Sequence, residues 1–195
     1  MARSDARRSE ILDAALACYA KLGWAATTIA DVRQQSGAST GSIYHHFGSK
    51  EGIGAALYAE LLQRYRGPLL ERLERTRSAR GFVRALVLHH LDWAAAHPDW
   101  ARFLNDMRGS EAVAGNETEL RESTRRFLAL LARRIEEYVE AGEIVRMPRQ
   151  IYASVIVGPA HDLVRHWLRG RLEVDLAELR TPLANAAWRA VAATQ

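Results

Sequence analysis

Apolar residues in this chain recur at spacings of one, three and four, and no stretch holds an alternation of two. Ile11, Leu12, Ala15, Leu16, Tyr19 and Leu22 are the first such set. At about 100° per residue they fall on one helix face, whereas a strand would scatter them over both sides. The same period returns in "GFVRALVLHHLDWAAAH", "ETELRESTRRFLALLARRIEEYVEAG", "PRQIYASVIVGPAHDLVRHWLRG" and "DLAELRTPLANAAWRAVAAT". A chain patterned this way must bury its stripes helix against helix, so the fold class is all-α. No internal repeat is visible. Hydrophobic residues make up 48% of 195, enough for a sizeable core.

Capping chemistry divides the N-terminal region. Gly23 closes the first helix. Thr28 can cap a short second helix, with Asp31 three residues on in a capping-box pattern, and Ser36-Gly37 ends it. A third helix is predicted from Thr40 to Phe47. Gly48 breaks it and Ser49 caps a fourth, which Gly67-Pro68 should interrupt or kink. Beyond lie a helix ended by His97-Pro98, a short one opening at Pro98, a loop from Gly109 to Gly115, and a long amphipathic helix closed by Gly142. Two more follow, about Pro148 to Arg169 and Asp175 to Ala193, with Pro182 a possible kink in the second. The expected architecture has about nine helices. A three-helix helix-turn-helix domain at residues 1–49 is joined by the fourth helix to a helical bundle at residues 50–195.

Bulk properties narrow the function. No run of about 18 uncharged apolar residues exists, so no membrane span is expected. The basic N-terminus lacks the apolar segment of a signal peptide, and the single cysteine, Cys18, allows no intrachain disulfide. Both point to the cytoplasm. Net charge is +4, which permits a polyanionic partner. Through Glu51, however, six basic residues face five acidic ones, so any DNA binding there must use placed contacts more than a basic cloud. The arginines between Arg64 and Arg84 read as a solvated helix face.

The segment Thr40–Phe47 carries the strongest functional signal. Ile43 and Phe47 share a face that must pack inward, and Gly41, Ser42 and His45 take the opposite face. Small and hydroxyl residues on a short exposed helix, set by a tight glycine turn, are what a major-groove reader requires. The groove is about 12 Å wide, and a helix N-terminus with hydroxyls satisfies phosphate oxygens. His45 and His46 point about 100° apart, which argues against one shared metal ion. A catalytic base would need a partner, and none is near in sequence.

"ILDAALACYAKLGWAAT" followed by "TTIADVRQQSGASTGSIYHHFGSKEG" resembles the DNA-binding domain of the TetR family of bacterial regulators over roughly the first 55 residues. The resemblance implies that Thr28, Ser39, Thr40, Gly41, Tyr44, His45 and Lys50 approach DNA, mostly at phosphates. Ser42 joins them from its place on the outer face. His46 matches a position often held by histidine, holding the helix or touching a phosphate.

The resemblance also implies a variable C-terminal bundle that binds a small molecule and dimerises through its last two helices. Ile151, Val155, Leu163 and Trp167, with Leu176, Leu179, Leu183 and Trp188, supply candidate interface stripes. Candidate pocket residues are Trp93, Trp100, Phe103, Phe127, Tyr152, His161 and Asp162, although plain core is the better reading of each aromatic. Polar residues in apolar helices (His89, His90, Asp92, Asn105, His161, Asp162) need partners if buried. Gly158-Pro159 should bend its helix, opening a cavity or fitting a dimer surface. No metal or cofactor motif is present: His161 and His166 are five apart. The expected function is therefore a ligand-responsive DNA-binding regulator, a repressor, that binds a palindromic operator as a homodimer and is released by an unknown effector. The alternatives are a regulator with no effector, or a motif-free helical enzyme.

Overall fold

The computed structural model describes residues 2–110 and 117–193. It is all-helical: among the described residues it holds ten α-helices and one 3₁₀ turn, with a single isolated antiparallel bridge, Ile144 to Ala192. The helices are α1 (Ala2–Leu22), α2 (Ile29–Ser36), α3 (Thr40–Phe47), α4 (Lys50–Glu74), α5 (Ala79–Ala96), α6 (Pro98–Met107), α7 (Glu117–Glu140), α8 (Tyr152–Ile156), α9 (Gly158–Leu168) and α10 (Leu176–Val191). No described helix is long and apolar enough to cross a membrane. Of the loop expected from Gly109 to Gly115, residues 111–115 lie outside the described ones.

Two compact units divide the chain: residues 1–63 with 99–120, and residues 64–98 with 121–195. The first unit is built on α1. Its stripe of Ile11, Leu12, Ala15, Cys18 and Tyr19 packs with Val32 of α2, Ile43 of α3, Ile53, Leu57 and Leu61 of α4, and Phe103 and Met107 of α6. Cys18 is a buried core residue, and burial pushes its thiol pKa up, away from the reactive thiolate. Trp100 also packs against this core.

The second unit centres on α5, which is buried along most of its length and packs chiefly on α10. Two polar residues on α5, Asp92 and His89, have partners on other helices. Asp92 accepts from Arg72 at 3.0 Å and from Arg180 at 2.9 Å. His89 places Nε2 2.9 Å from the Tyr65 carbonyl. A carbonyl only accepts, so this nitrogen carries the proton.

Two breaks differ from expectation. Pro68 does not interrupt α4, which continues to Glu74. Conversely, the helix expected from Pro148 is divided into the 3₁₀ turn Arg149–Ile151, α8 and α9, which raises the number to ten. The break between α8 and α9 falls at Val157, next to Gly158 and Pro159; the proline offers no N–H to the Val155 carbonyl.

Candidate nucleic-acid interface

Three caps hold α3 in place. Thr28 receives the Asp31 amide at 3.2 Å while its own amide donates to the Asp31 carboxylate at 2.8 Å, fixing α2. These hydrogen bonds, the Thr28 hydroxyl's first, hold the Asp31 carboxyl below its ordinary pKa. Gly37 then adopts a left-handed φ of 64°, which a side chain would strain, and turns the chain toward α3. Ser39 receives the Ser42 amide at 3.1 Å. At the far end Ser49 caps α4 by accepting from Gly52 at 3.1 Å. Gly52 is required there, since a Cβ would stand 1.9 Å from the Phe47 carbonyl oxygen.

Ile43 anchors α3 at 1% exposure. Around it, Ser39, Thr40, Gly41, Tyr44 and His45 are exposed, and Ser42, His46 and Phe47 are half-buried. Tyr44 is 51% exposed, a large aromatic left in water. The Arg8 guanidinium sits 5.8 Å above the Phe47 ring and reaches Glu60 at 3.4 Å, closing the back of the site.

Gly41 is informative by contrast with Gly52. Its added Cβ would meet nothing within 4 Å, and its φ is not left-handed. Nothing in the folded chain asks for glycine there, although glycine in a helix costs about 0.5–1 kcal/mol relative to alanine. Lys50 points back into the chain: Nζ donates to the Ala25 carbonyl at 3.2 Å and lies 5.1 Å from the Trp24 ring centroid. The His45 and His46 rings stand edge to face, 5.4 Å apart. Among the described residues no three His, Cys, Asp or Glu side chains gather as a metal site.

The candidate pocket residues divide between the two units. Trp100 and Phe103 lie in the first unit, where Phe103 meets Tyr19 edge-on at 4.9 Å. Tyr152 is buried, and its hydroxyl ties down residues 145–147 by donating to the Val145 carbonyl and accepting the Met147 amide. Arg66 covers the Phe127 ring at 4.9 Å. Asp162 is exposed beside Arg165 and His166. Trp93 and His161 lie along one run of ring contacts in the second unit. Trp93 stands edge-on to Tyr65 at 5.1 Å, the Tyr65 hydroxyl lies 3.3 Å from His90 Nδ1, and His90 stacks on His161 at 4.0 Å. Sequence spacing gives no sign of this Tyr65–His90–His161 grouping, nor of Trp24 beside Lys50, because each joins residues from different helices or loops.

On the second unit an apolar groove of about 200 Å³ runs along α8, α9 and α10. Val87, Val155, Ile156, Pro159, Ala160, Leu183, Ala186, Ala187 and Ala190 line it, with no charged side chain. Ala186 and Ala190 are exposed on its rim.

Residues 11–57 match the family described as bacterial regulatory proteins, tetR family. The chain is 26% identical, over 93% of its own length and 90% of the relative's, to the HTH-type transcriptional regulator BetI of Paraburkholderia phymatum. It is 32% identical to the HTH-type transcriptional repressor Rv1474c of Mycobacterium tuberculosis, over 61% of this chain and 63% of that protein. A crystal structure of the transcriptional regulator FadR from Bacillus subtilis in complex with stearoyl-CoA superposes with a TM-score of 0.78 at 20% identity, covering 93% of this chain and 98% of the other.

Proposed function

The chain belongs to the tetR family of bacterial DNA-binding transcriptional regulators, which are not enzymes, and from that premise we propose a repressor that grips a palindromic operator as a homodimer and releases it to a small-molecule effector. Residues 1–49 read DNA; residues 50–195 hold the effector and form the dimer. The bacterial cytoplasm, where the DNA lies, is its place of action. One observation carries the DNA reading best. The exposed face of α3 holds a glycine and a bare tyrosine that the fold itself does not need. Gly41 lets the DNA backbone approach, and the amide end of α3 with Ser39, Thr40 and Ser42 meets phosphate oxygens. Tyr44, His45 and Lys50 add further donors, and His46 sits at the edge. Thr28 contributes from the cap of α2.

The uncharged groove along α8–α10 supports a dimer through the last helices. A dimer sets two α3 helices against two half-sites, which one short helix cannot read with useful specificity. The effector is an apolar, acyl or aromatic molecule, in line with the stearoyl-CoA held by the FadR of similar fold. Its occupancy shifts α4, which contributes to both units, and the spacing of the two α3 helices changes. Only unequal affinity for the two states can drive this.

Gel-shift titration against the DNA upstream of its own gene, at two salt concentrations, tests the reading. Sequence-specific binding that weakens steeply with salt is expected. Its absence on every bacterial fragment tried would sink the proposal. Adding acyl-CoAs and aromatic acids to the bound complex should release DNA; binding that none of them disturbs would instead favour a regulator without an effector.

A further inference from the structure

Trp24 lies in the connection between α1 and α2, and its indole meets three partners. Phe103 of α6 stands edge-on to it, with centroids 5.9 Å apart at 81°. Gly54 of α4 lies beneath it: a Cβ there would come within 2.6 Å of the indole Cζ2. The Lys50 ammonium sits 5.1 Å from the ring centroid while donating to the carbonyl of Ala25, the next residue, at 3.2 Å.

We propose that Trp24 is a positioning residue for DNA binding: it parks the Lys50 ammonium at the α1–α2 connection, ready for a backbone phosphate, and makes that placement depend on Phe103 of α6. The proposal rests on the reading that Lys50 contacts DNA. A lysine head has three N–H donors. Ala25 takes one, which leaves donor capacity for a further acceptor. An ammonium already fixed before DNA arrives loses less freedom on binding than one at the end of an unrestrained four-carbon stem. The arrangement is built into the chain. Gly54 gives the indole room against α4, and the edge of Phe103 sets its tilt. A shift of α6 would therefore be felt first by the ring and then by the cation.

The test uses the full chain and a duplex fragment selected by the wild-type protein from a random pool, titrated at several salt concentrations. Trp24→Leu should weaken binding about threefold per bound chain, with the salt slope unchanged, since the lysine still reaches its phosphate. Trp24→Phe should recover most of the loss. Lys50→Ala should weaken binding and lower the slope by about one per chain. Added to Lys50→Ala, either Trp24 change should have no further effect. If the Trp24 and Lys50 losses multiply instead, the ring does not act through the lysine and the proposal fails while the DNA reading stands. If Lys50→Ala leaves affinity and slope unchanged, the lysine contact fails and takes the proposal with it. If the wild type selects no fragment, the DNA reading itself is at fault. One measurement needs no DNA: the Lys50 ε-methylene protons should be shifted upfield by the indole ring current in the wild type, and an unshifted signal would overturn the proposal even if Trp24→Leu does not fold.

Discussion

Gly41 and Gly52 show how one residue type can answer to different demands. At Gly52 the Phe47 carbonyl leaves no room for a methyl group, so Gly52→Ala should destabilise the protein by about 1–3 kcal/mol, read as a lower Tm. At Gly41 the space is open, so Gly41→Ala should hold or raise stability by up to about 1 kcal/mol while weakening DNA binding. A mutant that melts higher yet binds DNA as well as the wild type would remove the argument for close backbone approach. Tyr44→Phe is the matching change for a hydroxyl. The ring is 51% exposed, so melting should not move, and any loss of affinity belongs to the DNA contact. Thr28 resists such a clean test. Its hydroxyl already donates to Asp31 at 2.6 Å, so removing it also costs about 1 kcal/mol of cap.

Helix boundaries near α3 were readable because their causes are local. Thr28, Ser39 and Ser49 cap, and Gly37 and Gly48 turn, each within a few residues of the element they define. Pro68 leaves the Arg64 carbonyl one turn back without its helical N–H, yet α4 runs on to Glu74. Local sequence does not announce that His89 of α5 brings an N–H to the Tyr65 carbonyl of α4, since the two are 24 residues apart. Burial lowers the His89 pKa, against the opposing pull of that hydrogen bond. The unfolded chain therefore takes up its proton first, as pH falls below about 6.5, and stability drops with pH from there until the folded state can also protonate. His89→Gln keeps a donor and cannot charge. Its Tm should fall less than that of the wild type between about pH 7.5 and about pH 5. Equal falls would show that other groups set the acid sensitivity.

Across the whole chain, the apolar stripes said which faces must be covered but not by what. That is why α6 could be placed as a helix from its sequence, while its packing on the α1–α4 core through Phe103 and Met107 could not. The same limit applies to α8–α10, whose groove remains apolar and open. Ala186 and Ala190 are exposed, so a charged side chain at either position meets water in a lone chain and should leave melting nearly unchanged. In a dimer closed over this groove, that charge would be buried without a partner on both sides of the twofold axis. Burial of an unpaired charge costs about 3 kcal/mol or more, enough to weaken dimerisation at least about 100-fold. Ala186→Glu should therefore sediment as a monomer at micromolar concentration. It should also lose most operator affinity although α3 is untouched, because a lone chain reads one half-site. A dimer that persists in Ala186→Glu and Ala190→Glu alike would place the contact on another face, and would break the link between the last helices and the spacing of the two readers.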